Sequence, residues 1–288
     1  YYQIHRADLH DALVAAVRAN DENAILLSHA FETLTQDDVG ITAQFTNGAT
    51  ATGDMLIGAD GSRSAVRGSI IDTVAPKFTG QAAFRGMVPA EAVAKYMTIA
   101  NSSTTMGPGH IFTRYYLRHE ALVNVVGIAK TEAWKEEGWS IRATREEFLA
   151  EYKGWNENVI GIINAIPEDK LFKWALFDRD PIPEWTVGRA TLLGDAAHPM
   201  LPFLGMGAAM ALEDGVVLAR CLEKYDTPTT AFAAYEEARK ERTKGVLLDS
   251  RKQGIWYQNS NPDEFKGFAS TGEMRVPLMG YDPGSTPI

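Results

Sequence analysis

The sequence predicts an α/β fold interrupted by an α+β unit with a mainly antiparallel sheet, and closed by C-terminal helices. Three observations predict it. An apolar strand, Asp54–Gly58, runs into Ala59-Asp60-Gly61, and a second one, Arg189–Leu193, runs into Gly194-Asp195; a helix follows each. Between about Pro76 and Pro181 the texture changes to strand-like runs followed by helical ones. From Gly207 the chain is helical as far as about Trp256. The expected division is therefore 1–75, 76–180 and 181–288, with the outer two segments forming one domain and the middle one another.

Taken in order, Leu9, Leu13, Ala16 and Val17 recur at helical spacing after Arg6. Short β-type runs follow at Ala24–Leu27, Phe31–Thr35 and Val39–Phe45, with Thr46-Asn47-Gly48 as a hairpin signal. The middle unit offers strands at Ala82–Val88, Ile111–Leu117, Ala121–Ala129 and Leu171–Phe177, and helices at Thr144–Lys153 and Glu157–Ala165. Gly207–Leu222 and Thr229–Leu247 are the closing helices, and the Gly/Pro/Asp-rich tail Asn259–Ile288 reads as irregular. There is no internal repeat.

With 288 residues, 45% hydrophobic and 23% charged, the chain has enough apolar material for a real core and is neither fibrous nor disordered. A net charge of -9 without any Lys/Arg block excludes the usual electrostatic footprint for nucleic acid or an anionic membrane. The longest apolar stretch, Ala121–Ala129, is broken by Asn124 and is far short of a membrane span. One cysteine, Cys221, permits no internal disulfide, so a reducing cytoplasm is the simplest setting. The six histidines lack metal-ligand spacing, and no metal site is expected. The opening Tyr1-Tyr2-Gln3-Ile4-His5-Arg6 reads as the interior of a longer chain.

Two segments carry chemistry. In Leu56–Arg67 a strand delivers Asp60 and Gly61 to a helix start, where Asp can cap backbone N–H groups and Gly permits positive φ or close approach of a ligand. The plainer alternative is an ordinary strand–turn–helix with a capping Asp. In Thr191–Asp214, a strand ends in Gly194-Asp195, a Pro-punctuated loop follows, and small residues open a long helix. A carboxylate there can accept hydrogen bonds from ligand hydroxyls, and the helix N-terminus offers free N–H groups to an anion. A Gly-rich packing turn is the alternative.

Together these segments resemble the flavin-dependent aromatic hydroxylases, the single-component class related to para-hydroxybenzoate hydroxylase. The resemblance rests on Ile4-His5-Arg6-Ala7-Asp8-Leu9, on Gly58-Ala59-Asp60-Gly61 with Ser64 and Arg67, and on Gly194-Asp195-Ala196-Ala197-His198-Pro199, in that order. The ending Pro277–Asp282 is similar to the branch holding salicylate hydroxylase, 3-hydroxybenzoate 6-hydroxylase and 6-hydroxynicotinate 3-monooxygenase. The resemblance implies a partial Rossmann-like FAD-binding domain with an inserted substrate domain. It implies FAD as cofactor, NADH or NADPH as co-substrate, and O2 inserted into a small phenolic or carboxylated ring through a flavin C4a-hydroperoxide.

Carried over residue by residue, Arg6 matches the arginine at the ribityl–pyrophosphate region, and Phe31 the position whose backbone lies near the adenine. Asp60 and Gly61 match the pair tied to FAD and nicotinamide-cofactor binding, and Asp195 the carboxylate on the ribityl hydroxyls. Gly205, Met206, Gly207 and Ala208 match the helix start at the flavin's pyrimidine edge. On the substrate side stand Arg85, Ile111, Tyr115, Pro202 and Phe203, with Tyr115 as the catalytic candidate that binds or deprotonates a hydroxyl, and Arg85 as a carboxylate partner or a salt-bridge residue. Relatives place His where Ile111 stands; His110 is one residue away, which on a strand turns it to the other face. His198 reads as a loop organiser, since Pro199 restricts its backbone. The chain departs from the pattern at Met206, often Gln, at Phe203, often His or Tyr, and in lacking the G-x-G-x-x-G cradle. That absence keeps a non-catalytic remnant unable to retain FAD as an alternative, beside a flavin enzyme of another reaction type such as an epoxidase or halogenase. A small aromatic substrate and O2 are the expected partners, with no nucleic acid or membrane, and a homodimer is left open.

Overall fold

A computed structural model describes residues 2–71, 74–98, 100–131, 141–257, 259, 261 and 277–288. In chain order the elements are α1 (Arg6–Asn20), β1 (Phe31–Gln36), β2 (Ile41–Phe45), β3 (Thr50–Gly53), β4 (Leu56–Gly58), α2 (Ala65–Ile70), β5 (Lys77–Pro89) and α3 (Ala90–Val93). Next come β6 (Ser102–Gly107), β7 (His110–Leu117), β8 (Leu122–Lys130), β9 (Ile141–Arg142), α4 (Arg145–Glu151), α5 (Glu157–Ala165) and β10 (Phe172–Asp178). The chain ends with β11 (Thr186–Val187), β12 (Ala190–Leu192), α6 (Gly207–Lys224) and α7 (Pro228–Tyr257). These form two compact units: Tyr1–Ile25 with Phe78–Phe177 and Ile255–Lys266, and Leu26–Lys77 with Asp178–Gly254 and Gly267–Ile288.

The first unit is built on a six-stranded sheet in the order β6-β7-β8-β5-β10-β9. Its ladders β5–β8, β6–β7, β7–β8 and β9–β10 are antiparallel. Strand alternation sends Phe84, Val88, Phe112, Val123 and Val125 to one face, where they meet Phe148, Tyr152, Ile162 and Ile163 of the two helices. Phe84 stacks on Phe148 with centroids 4.8 Å apart. The helices start where the sequence says they should. Thr144 and Glu147 form a capping box on α4, and Asn156 caps α5 through the Val159 N–H. The Tyr152 hydroxyl, buried between the strands, donates to the Ile111 carbonyl at 2.6 Å, and burial holds its pKa well above the ordinary value.

The second unit holds two small sheets. β1, β2 and β3 form an antiparallel meander whose Asn47-Gly48 turn works as predicted, with Gly48 at φ +82 and Asn47 Oδ1 accepting the Ala49 N–H. β12 pairs parallel with β4 and antiparallel with β11, so the two chemistry-bearing strands lie side by side. α7 begins with Pro228 at its first position and Thr227 accepting the Thr230 N–H. Its buried residues step by three and four through Phe232, Tyr235, Arg239, Arg242, Val246, Ser250 and Gln253.

The predicted mixture of an α/β frame, a mainly antiparallel inserted sheet and closing helices is what the chain forms. Two local expectations differ. Ala24–Leu27 is not a strand: Leu26 and Leu27 are exposed, and no described strand pairs with them. Ser102–Gly107 is a strand that apolar periodicity does not signal, its Thr104 hydroxyl bonding across to Thr113 at 2.9 Å. Of the irregular tail, 262–276 lie outside the described residues, and 277–288 form turns and bends. Among the described residues no helix is long and apolar enough to cross a membrane.

Candidate functional site

At the end of β4, Gly58 is a necessity of packing: a Cβ there would lie 2.7 Å from Val66 and 2.9 Å from Leu192. Asp60 follows, and both its oxygens are used locally. Oδ1 accepts the Ser64 hydroxyl at 2.5 Å, and Oδ2 accepts the N–H groups of Ala65 and Val66 at 2.7 and 3.1 Å. The plainer reading of Asp60 as a capping carboxylate is thus visible directly. Gly61 sits at φ +85 with open space around it. Arg67, only 2% exposed, sends Nη1 to the Ala196 carbonyl at 2.5 Å and Nη2 to the Ser62 carbonyl at 2.6 Å. One side chain therefore staples the Asp-Gly turn to the Gly-Asp turn. Burial pulls its pKa below the ordinary arginine value, the charge of Arg179 adds to that, and Asp60 opposes it.

Gly194 (φ +60) turns the chain after β12, with Ala211 of α6 only 3.1 Å from where a Cβ would sit. Asp195 then projects as an exposed carboxylate with no side-chain partner among the described residues. Its Oδ1 would be 4.0 Å from a Cβ on Gly207, so it stands beside the first residue of α6. Gly205 is left-handed at φ +65, and Met206 precedes α6 without a side-chain cap, leaving the first N–H groups open. Gly207 is half-buried and Ala208 exposed, while the Met206 side chain packs against Met210 and Val246. Of the two predicted substrate contacts in this loop, Pro202 is exposed and Phe203 is buried against α7. A Cβ on Gly254 would come within 2.3 Å of the Phe203 ring. Gly254→Ala is expected to cost about 1–3 kcal/mol through overpacking. Urea unfolding checks it; an unchanged midpoint would mean the ring simply yields.

The least legible part of this unit lies under the turn. Asp214 on α6 is fully buried and accepts His198 Nε2 at 2.5 Å, the Gly194 N–H at 3.0 Å and Arg239 Nε at 2.7 Å. Burial pushes its pKa up, but His198 and Arg239 together outweigh that and hold it below the usual carboxylate value. His198 is the loop organiser the sequence suggested; Asp214, its partner, is a residue that sequence reasoning missed. Glu213 receives both Arg239 and Arg242 at 2.8 Å, and Arg242 continues to the Pro277 carbonyl and over the Tyr281 ring. His198 also lines a cavity of about 290 Å³ with Ile182, Trp185, Lys240 and Leu247, which contains none of the other predicted residues. Phe31 is half-buried against this unit's core cluster.

In the first unit the predicted residues share one sheet face. Tyr115 pairs with Asn124, Thr113 with Val126 and Ile111 with Ile128, while Arg85 pairs with the same Val126 from the other side. All of them lie opposite the helix-covered face. His110 lies on that covered face, its Nε2 3.3 Å from Glu151 and its ring edge against Tyr152 and Trp155, as the one-residue offset requires. Arg85 is half-buried, and its Nε donates to Asn124 Oδ1 at 3.4 Å; it makes no salt bridge among the described residues. Arg6, exposed at the start of α1, adds a second positive charge near it. Asp8 takes both guanidinium arms of Arg118 at 2.6 and 2.9 Å, which ties the first turn of α1 to the β7–β8 turn. That turn runs through Arg118, His119 and Glu120, all at positive φ.

A family model described as an FAD binding domain matches residues 2–250. The chain belongs to this FAD-binding family. Among its relatives, the 3-amino-4-hydroxybenzoate 2-monooxygenase PtnB3 of Streptomyces platensis is 35% identical over 255 residues, which is 88% of this chain and 63% of that protein. The 6-hydroxynicotinate 3-monooxygenase of Pseudomonas fluorescens is 33% identical over 295 residues, covering 100% of this chain and 71% of that protein. A salicylate hydroxylase solved as a substrate complex is similar in structure, with a TM-score of 0.76 and 28% identity over 94% of this chain and 68% of that one. The resemblance read from the three motifs is borne out at the level of family and branch. The chain spans less than two thirds of the length of the Streptomyces relative.

FAD is the cofactor of the family, and the open polar groups of this FAD-binding chain can be named unit by unit. In one they are the Asp195 carboxylate and the uncapped start of α6; in the other, the guanidinium groups of Arg6 and Arg85. Asp60 belongs to a different class, since its oxygens are already engaged.

Proposed function

We propose that this FAD-binding chain serves a monooxygenase that hydroxylates a small phenolic, carboxylated aromatic of the salicylate or hydroxybenzoate type, using NADH or NADPH and O2. The observation that carries the reading is the sheet face of the first unit opposite its helices, where Ile111 and Ile128 are buried and Arg85 and Tyr115 half-buried. There a half-buried guanidinium without a counter-ion among the described residues, Arg85, and a tyrosine, Tyr115, are set among Ile111, Val126 and Ile128. An aromatic acid needs those three things: an anion partner, a hydroxyl partner and apolar walls.

Bound FAD supplies hydride acceptance and oxygen activation. The chain's own residues hold and orient. Asp195 would accept hydrogen bonds from ribityl hydroxyls, and the open N–H groups of α6 would face electron-rich flavin oxygen and nitrogen. Arg6 would meet pyrophosphate oxygens. Tyr115 would accept or orient the phenolic proton of the substrate, and the apolar face around it would keep water from the ring. The single, buried Cys221 fits a reducing cytoplasm.

Purified protein loaded with FAD is expected to oxidise NADH or NADPH faster when salicylate or a hydroxybenzoate is added, with a hydroxylated product detected by mass spectrometry. Tyr115→Phe should lower kcat by roughly 10²-fold or more. Failure to retain flavin, or NAD(P)H oxidation that yields no hydroxylated product across that panel, would overturn the proposal.

A further inference from the structure

Asn124 is the one polar residue in the apolar run of β8, and it is wholly buried. Its Oδ1 faces the Nε–H of Arg85 at 3.4 Å, and its Nδ2 has no partner among the described residues. The register places Asn124 between Tyr115 of β7 and Met87 of β5, with Arg85 diagonal to it on the same face. Arg85 makes no other hydrogen bond or ion pair among the described residues. Burial draws its pKa below the ordinary value, with Arg6 adding to that and Tyr115 opposing it.

A guanidinium is planar, so a bond to Nε fixes the direction of both terminal nitrogens. An amide oxygen can make that bond without cancelling the charge, whereas a carboxylate at the same place would pair with the guanidinium and quench it. We infer that Asn124 is a positioning residue that presents the two terminal nitrogens of Arg85 to the carboxylate of the aromatic acid. The inference rests on the proposed function for the identity of the ligand. It adds the pair that discriminates carboxylated rings from uncarboxylated ones. Asn is used rather than Asp because the site must stay cationic, and rather than Leu because Nε would lose its acceptor.

The test is equilibrium binding to the flavin-loaded protein, read from the flavin absorbance, with benzoate, salicylate and phenol as probes. Asn124→Asp is expected to weaken benzoate and salicylate by roughly tenfold or more and to leave phenol within about twofold. Asn124→Leu, which adds no charge, should weaken the two acids by less and again spare phenol. KM should rise for carboxylated substrates in both variants while kcat changes little. Equal losses for acids and phenol, or no loss in either variant, would overturn the inference, as would a wild type that does not bind benzoate. A protein that binds benzoate with this dependence on position 124 yet produces no hydroxylated product supports the pair and refutes the hydroxylase reading. A protein that hydroxylates the acids with unaltered KM in Asn124→Asp does the reverse.

Discussion

Asp214→Ala is expected to destabilise the protein by about 3–5 kcal/mol, the largest effect of any single change to the site. Three buried donors converge on this carboxylate: His198 Nε2, the Gly194 N–H and Arg239 Nε. Removing it takes the acceptor from Nε of a guanidinium that is 0% exposed and leaves an unpaired N–H inside the turn that carries Asp195. Glu213 still holds Arg239 through Nη2, so the guanidinium keeps one partner and the lower end of the range is the floor to test. Asp214→Asn keeps the shape and one acceptor, and should cost less. Urea unfolding of both variants checks the order. A loss under about 1 kcal/mol for Asp214→Ala would show that water enters and satisfies the donors.

The same carboxylate gives a pH signature. Its folded pKa lies below the ordinary value, so its stabilisation is fully present above about pH 4 and is lost as pH falls through the lower, folded value. The stability gap between wild type and Asp214→Asn should therefore be constant near neutrality and close below about pH 4. A gap that instead widened with acid would contradict the sign of the shift.

Why this cluster escaped the sequence is physical. Asp214 is one acidic residue on a long amphipathic helix, and its partners lie 16, 20 and 25 positions away. Nothing in a local pattern distinguishes a carboxylate facing the core from one facing water. The turns were legible for the opposite reason. Asp60-Gly61 and Gly194-Asp195 each need a positive φ and a short polar residue at a strand tip, which the sequence states within a few residues. The face of β7 was legible too, because a two-residue period puts Tyr115 with Ile111 and sends His110 away. Ser102–Gly107 was not, since Ser-Ser-Thr-Thr shows no apolar alternation and is held by its ladder with β7. Asn124 was visible as an interruption in an apolar run, but its meaning depends on Arg85, 39 residues earlier.

Asp195→Ala is expected to reduce FAD affinity by about 10- to 100-fold, with little change in the stability of the flavin-free protein. The magnitude follows from losing a hydrogen bond to a charged acceptor, about 1.5–3 kcal/mol. The contrast follows from geometry: Asp195 is exposed and bonds to no other side chain among the described residues, so its removal strands none of them, and a change within about ±0.5 kcal/mol is expected. Asp60→Ala should behave differently, because Asp60 holds Ser64 and two N–H groups at the start of α2. There, stability should fall by about 1–2 kcal/mol before any flavin is added, and weaker FAD binding would follow from the loosened turn. Flavin fluorescence titration paired with urea unfolding separates the two carboxylates. If Asp195→Ala bound FAD as well as wild type, this residue would not be the ribityl acceptor, and the open N–H groups of α6 would have to anchor the flavin in this unit alone. If instead it unfolded the flavin-free protein, the turn would depend on Asp195 for its own stability, and the contrast with Asp60 would be refuted.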